Sequence, residues 1–417
     1  MLNRLIFIRH LKDPLYKNSI FIILTSISIA GFGFIFWMLA AKVYSKEDVG
    51  IATALVSSIV LLANLSKFGL DFSIVRFFPE ENKSIVFSTS ATITILFATL
   101  LGVMFIAGTW AWLPKLNFLM TFNNLILYLL FLISNSLVLL AGTAFIAMRR
   151  AEFRFLQSII TGLRVVFLFP LAFLGAMGIF GAFGISFMFT LAVSFSLLAK
   201  LGVKFTPKID RRFLKDILHF STGNYVAGLL IQSPNQILPI MVLNVLGAEH
   251  AAHYYIAFAI ANLLFMIPQA VSTSLFVEGS HGEALKKSTI KSLLAIAFIL
   301  TPAVICVYVF GDKLLKLIGK DYLQGLDLLK ILLLASFFIA ICNIYFSIKR
   351  VKKDIKELVI LSGLIFTLLI GFSYILIHSF GIKGIGYAWI ISYGFVLLII
   401  SIYNFKEKFT WKLTKIF

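Results

Sequence analysis

The sequence predicts an all-α polytopic membrane protein of about twelve transmembrane helices arranged as two six-helix lobes. Three observations carry that prediction. Of 417 residues, 60% are hydrophobic and only 13% are charged, whereas soluble domains carry about 25% charged residues. The apolar residues come in long unbroken runs, which only lipid can solvate. The basic residues fall preferentially in every second gap between those runs.

The elements follow in chain order. A helix needs about 20 mostly apolar residues to cross the hydrocarbon of a bilayer. Twelve runs qualify, at 19–41, 49–66, 85–108, 123–147, 156–176, 181–199, 218–245, 253–277, 289–311, 327–347, 358–377 and 384–403. The first run follows Arg4, Arg9, Lys12 and Lys17. It is too long for the apolar core of a cleaved signal peptide, so it reads as an uncleaved first span.

The basic residues orient these spans. With the N-terminus inside, the inner segments carry 28 of the 37 Lys and Arg, the outer segments carry seven, and Arg164 and Lys330 lie within spans. Cytoplasmic loops carry such an excess, so both termini are expected on the cytoplasmic side of a cell (inner) membrane. The net charge of +19 is scattered through these loops. It forms no contiguous basic face of the kind that binds nucleic acid.

The chain repeats itself. "SKEDVG" at Ser45 opens the second span and "GAEHAA" at Gly247 the eighth, while "MRR" at Met148 closes the fourth and "IKR" at Ile348 the tenth. "GIFGAFG" at Gly178 and "GIKGIGY" at Gly381 open the sixth and twelfth. These offsets of 202, 200 and 203 residues mark a six-span unit. An even number of spans per unit relates the copies by a pseudo-twofold along the membrane normal. The expected lobes are 1–206 and 207–417, joined by the basic stretch from Lys200 to Asp216. Two facing lobes enclose a cleft, and rocking one against the other gives alternating access.

The stretch "LAAKVYSKEDVGIATALVSSIVLLANLSKFGLDFSIVRFFPE" resembles the first spans of the polysaccharide-flippase branch of the multidrug/oligosaccharidyl-lipid/polysaccharide exporter superfamily, and "GIFGAFGISF" and "GIKGIGYAWIISY" resemble its sixth- and twelfth-span openings. The resemblance runs along the whole chain. It implies a V-shaped bundle that moves a polyprenyl (pyro)phosphate-linked glycan from the cytoplasmic to the outer leaflet, through a cavity that tends to be cationic. It also implies possible association with other polysaccharide-assembly proteins. The alternatives are a cation-coupled drug exporter of the same superfamily and a non-transporting scaffold of an assembly complex.

Candidate substrate-binding residues follow from polarity within apolar runs. Gln232, Asn235 and Gln236 lie with Ser233, Pro234 and Pro239 in the middle of the seventh span. Each proline frees an upstream carbonyl, and amides that donate and accept suit sugar hydroxyls. Such a knot is tolerable beside a wet cavity, or as a packed kink whose amides bond the freed carbonyls. Arg164 sits about 12 Å inside its span at 1.5 Å per residue, where a charge reads as an anchor for phosphate or as a snorkelling side chain. Arg76 and Lys67 flank "FGLDFSIV" at the inner end of the second span, with Asn64 on the same helix. They recruit phosphate, or else serve as positive-inside residues with Arg76 paired to Asp71 or Glu80. Lys330 lies within reach of outer headgroups.

Other chemistry is poorly supplied, and no enzyme activity or cofactor is expected. No acidic residue lies centrally in a span, so a carboxylate for ion coupling is missing. The six histidines have no metal spacing, "GFGFIF" at Gly31 lacks the third glycine of a dinucleotide loop, and there is no P-loop. The loops are too short to hold a catalytic domain. Cys306 and Cys342 lie near opposite ends of their spans, too far apart for a disulfide.

Overall fold

The computed structural model describes residues 14–78, 81–210, 222–280, 285–352 and 354–413. Among them there is no strand. The helices are α1 (Pro14–Val43), α2 (Lys46–Ser66), α3 (Leu70–Phe77), α4 (Lys83–Trp112), α5 (Phe122–Ala147), α6 (Ala151–Gly162), α7 (Arg164–Phe167), α8 (Ala176–Lys200), α9 (Thr222–Gln232), α10 (Pro234–Leu246), α11 (Ala248–Ser280), α12 (Leu285–Ile318), α13 (Leu326–Val351), α14 (Ile355–Phe380) and α15 (Ile382–Leu413). Among the described residues, eleven helical segments are long and apolar enough to cross a membrane. The chain is a multi-pass membrane protein.

The boundaries have local causes. Ser45 caps α2 by accepting from Asp48 N–H, and Asn82 caps α4 by accepting from Ser84 and Ile85 N–H. Phe68 (φ 49°) and Gly69 (φ 78°) turn the chain through the left-handed region between α2 and α3, and Arg149 (φ 58°) does so between α5 and α6.

The fifth predicted span differs from expectation. Instead of one helix over 156–176, the chain forms α6, the four-residue α7, a turn and a short 3-10 segment at Ala172–Leu174. Pro170 has no N–H to donate to the Val166 carbonyl and cannot continue α7, and the Leu168 carbonyl accepts a 2.6 Å hydrogen bond from the buried Tyr44 hydroxyl. The seventh span is likewise divided, into α9 and α10, at Ser233.

Two compact units divide between Tyr225 and Val226. In the first, α5 packs against α2, α4 and α8. Its core includes Phe87, Leu140, Phe145 and Leu198, and buried hydroxyls bridge α2 to α5 through Ser58–Tyr128 at 2.7 Å and Ser66–Ser136 at 3.2 Å. Such bonds join helices where the surrounding solvent offers none. In the second unit α13 packs against α11 and α15. There Trp389 of α15 stacks near Phe265 of α11 at 5.5 Å and Tyr393 at 5.5 Å, and Ser347 of α13 donates to the Ser272 carbonyl of α11 at 2.7 Å.

The repeat reappears inside each unit with a shifted register. Gly175 and Gly381 open α8 and α15 with matching backbone angles, φ 57° and ψ −135° against φ 57° and ψ −142°. Three residues later, Gly178 and Gly384 each press bare backbone on a carbonyl. A Cβ there would stand 2.0 Å from Leu171 O and 2.3 Å from Leu376 O. Both pairs are 206 positions apart. The "GIFGAFG"/"GIKGIGY" alignment at 203 was therefore one helical turn out. The backbone needs glycine at 175 and 178, whereas the letters match best from 178 onward.

Candidate functional site

Arg164 is the first residue of α7, and its half-buried guanidinium lies inside the first unit. Its Cζ stands 5.1 Å from the ring centre of Phe36 on α1 and 5.7 Å from that of Phe183 on α8. Phe36 is itself fully buried. The approach from α1 is uneven. At Gly162 a Cβ would collide with the Phe32 ring at 2.7 Å, so α6 and α1 touch there. At Gly33 a Cβ would meet only Arg164 Nη2, at 3.4 Å. Glycine thus lets the guanidinium lie against the α1 backbone. Aromatic contact occupies the faces of a guanidinium, not the in-plane N–H donors that grip a phosphate.

The predicted residues near the end of α2 gather round Tyr225 and Asp71. Lys67 forms a partly buried ion pair with Asp71 at 3.3 Å. Asp71 therefore engages Lys67. Glu80, which the sequence suggested as a partner of Arg76, lies outside the described residues. Arg76 is exposed on α3. Asn64 donates its side-chain amide to Val60 O at 2.9 Å. The Tyr225 hydroxyl sits between the carbonyls of Asn64 and Leu65, at 3.0 and 2.9 Å, and its ring stacks on Phe68 at 6.3 Å. Tyr225 escaped the sequence reading because it lies far along the chain.

In the second unit Gln232 is exposed at the end of α9, and Asn235 and Gln236 are half-buried on the first turn of α10. Ser233 donates to Leu229 O at 2.6 Å and its own carbonyl accepts from Gln236 and Ile237 N–H, which closes the break. Among the described residues none of the three side-chain amides bonds within the chain, and Asn235 Oδ1 is buried without a partner. The reading in which these amides satisfy proline-freed carbonyls is therefore not realised. An unmet buried acceptor costs about 1–3 kcal/mol.

Lys330 stands 5.1 Å from the Tyr308 ring centre. Cys306 is exposed and Cys342 buried, both as free thiols. Among the described residues, no three of His, Cys, Asp and Glu come together to hold a metal ion. One polar cluster went unrecognised. Arg154 and Gln157 of α6 bond to each other at 3.0 Å, and Gln157 continues to Ser194 of α8 at 2.7 Å. The signal was available, since 154, 157 and 161 fall at spacings of 3 and 4 on one helical stripe.

The profile of a protein family described as polysaccharide biosynthesis protein matches residues 15–277, more than half of the chain. The chain belongs to this polysaccharide biosynthesis protein family. No curated protein matches it significantly. Solved structures share the fold of this polysaccharide biosynthesis protein. The lipid II flippase MurJ in an inward closed conformation superposes with a TM-score of 0.69 at 16% identity, over 92% of this chain and 87% of that one. An inward-facing multidrug resistance MATE family transporter of the MOP superfamily gives 0.67 at 16%, over 92% and 98%. A MOP superfamily transporter from Pyrococcus furiosus, described as having a binding pocket of reverse polarity, gives 0.57 at 14%, over 94% and 95%. The resemblance to a polysaccharide family seen in the sequence is borne out by the family match, and the fold is shared with these transporters.

Proposed function

We propose that this member of the polysaccharide biosynthesis protein family translocates a polyprenyl (pyro)phosphate-linked glycan from the cytoplasmic to the outer leaflet of the cell membrane, by alternating access between its two lobes, with both termini cytoplasmic. The observation that carries this reading is the Arg164 site. A guanidinium held inside a membrane unit by two aromatic rings, its edge against the bare backbone of Gly33, suits the phosphate link of such a lipid. The family's description and the likeness of fold to a lipid II flippase support the same substrate class. In this reading Lys67, Arg76 and Asn64 receive the headgroup at the cytoplasmic mouth, and Gln232, Asn235 and Gln236 meet sugar hydroxyls along the path.

The experiment is translocation in proteoliposomes containing the purified chain and a fluorescent lipid-linked glycan, read by its accessibility to an external quencher. Protein-dependent movement faster than in empty vesicles supports the reading. Failure with every glycan of the native pathway, together with export of small organic cations from the same vesicles, replaces it with drug export, the function named for the MATE neighbour.

A further inference from the structure

Gln157 is only 2% exposed, and both ends of its amide are engaged. Its Oε1 accepts from Arg154 Nη1 at 3.0 Å, and its Nε2 donates to Ser194 Oγ at 2.7 Å and approaches Val138 O at 3.4 Å. Ser194 donates in turn to Thr190 O at 2.6 Å. The amide is thus tied to α5 and α8 and cannot turn over. It fixes the direction of the Arg154 guanidinium.

That guanidinium rests on bare backbone. A Cβ on Gly142 of α5 would lie 2.4 Å from Arg154 Nη1 and 2.7 Å from Cδ and Cζ. Arg154 is half-buried. Among the described residues its single hydrogen bond goes to the neutral Gln157 oxygen, and it forms no ion pair. The neighbouring Arg150 does have a carboxylate, Glu152 at 3.3 Å. A cation withdrawn from water is normally balanced by an acid. Here it is instead oriented, flattened against a glycine and left uncompensated. A fixed planar fork of donors matches a phosphate oxyanion.

We propose that Arg154, oriented by Gln157 and seated on Gly142, is an oxyanion-binding residue for a phosphate or pyrophosphate group at the end of the first unit where α5 turns into α6. Arg164 follows ten residues later in the chain, at the start of α7 beyond the break. This assignment rests on the flippase reading only for the identity of the lipid that carries the phosphate. The Arg154 geometry stands without it.

The test is arginine-specific modification of the full chain in nanodiscs of neutral lipid, with phenylglyoxal adducts located by peptide mass spectrometry. Two probes are added separately, inorganic pyrophosphate and a long-chain polyprenyl pyrophosphate. The expected result is that modification of Arg154 slows several-fold while Arg350 of the second unit is unaffected. Protection by both probes supports recognition of the oxyanion itself, and protection by the lipid alone supports a lipid-borne group. Protection by neither, or equal slowing at Arg350, overturns the site. Gln157→Leu keeps bulk but releases the guanidinium. In protein that melts as the wild type does, affinity for the protecting probe falls about tenfold, the size of one charge-assisted hydrogen bond. Unchanged affinity overturns the orienting role of Gln157. If vesicles fail to flip lipid while Arg154 remains protected, the transport reading falls and the site stands.

Discussion

The guanidinium carbon of Arg164 lies 5.1 Å from the ring centre of Phe36, so the one arginine deep in a predicted span is held by aromatic contact from α1. Cation–π contacts are worth ~0.5–2 kcal/mol, and only a planar cation keeps both the stack and a bidentate grip. Arg164→Lys is therefore expected to slow translocation roughly tenfold and Arg164→Gln to slow it further. Phe36→Leu is expected to cost about two- to thirtyfold. Initial rates in proteoliposomes check this at matched protein levels. Wild-type rates in both Arg164 variants would remove the anchor.

A second expectation concerns the repeated glycines. At Gly178 and Gly384 the obstructing atom is a backbone carbonyl, at 2.0 and 2.3 Å from a built Cβ. Backbone cannot swing aside as a side chain can. Gly178→Ala and Gly384→Ala are each expected to destabilise by roughly 1–3 kcal/mol or more, seen as a lower Tm in detergent. Gly31→Ala, with nothing within 4 Å of its Cβ, is expected to leave Tm unchanged or slightly raised. Equal Tm for all three variants would contradict the shared helix-opening geometry.

The segment after α8 yields a third. Ser84 accepts from Lys204 N–H at 3.0 Å and donates to Gly202 O at 3.2 Å, and one turn on Ser88 accepts from Thr206 N–H at 3.0 Å and donates to Lys204 O at 3.2 Å. One helical turn of four residues advances ~6 Å, close to the ~6.6 Å of two extended residues. The hydroxyls therefore keep step with the backbone they hold, while Val203 is buried and Phe205 stacks on Phe195 at 5.6 Å. Ser88→Ala leaves two backbone groups unpaired and is expected to cost roughly 1–3 kcal/mol. Limited proteolysis should then cut within 203–210 several-fold faster. An unchanged cleavage rate in the Ser84→Ala/Ser88→Ala double variant would mean that apolar packing alone holds the segment.

Much of the fold was legible because lipid imposes a simple code. Runs of about 20 apolar residues must be helices, and eleven helical segments of that kind are present among the described residues. The break at Ser233 was announced by Pro234 and its polar neighbours. The break after Gly162 was hidden, because Gly162 and Pro170 stand eight residues apart in a run apolar but for Arg164, and the bond that the Tyr44 hydroxyl donates to the Leu168 carbonyl is a tertiary contact. The candidate residues divide in the same way. Arg164 stood out as a charge in apolar sequence. Arg154 looked like one more basic residue of an inner loop, and only the packing of Gly142 and Gln157 distinguishes it. The Lys67–Asp71 pair was equally a matter of side-chain reach.

The turn between α13 and α14 carries the last prediction. Asp354 accepts from Lys349 Nζ at 3.2 Å and caps α14 by accepting from Glu357 N–H at 3.3 Å. Glu357 also engages Lys349 and the Tyr345 hydroxyl. The hydrogen bond from Lys349, followed by that from Glu357 N–H, holds the Asp354 carboxyl below its ordinary range. A carboxylate whose pKa is depressed on folding contributes stability above its unfolded pKa, about 3.9, and loses it as pH falls through the lower folded value. Asp354→Asn should thus lower Tm near pH 7 by the loss of the ion pair, while the weaker amide cap persists. The gap between wild type and variant should close as the pH is taken below about 4. A gap that is constant from pH 7 to pH 3 would assign the whole effect to the cap and none to Lys349.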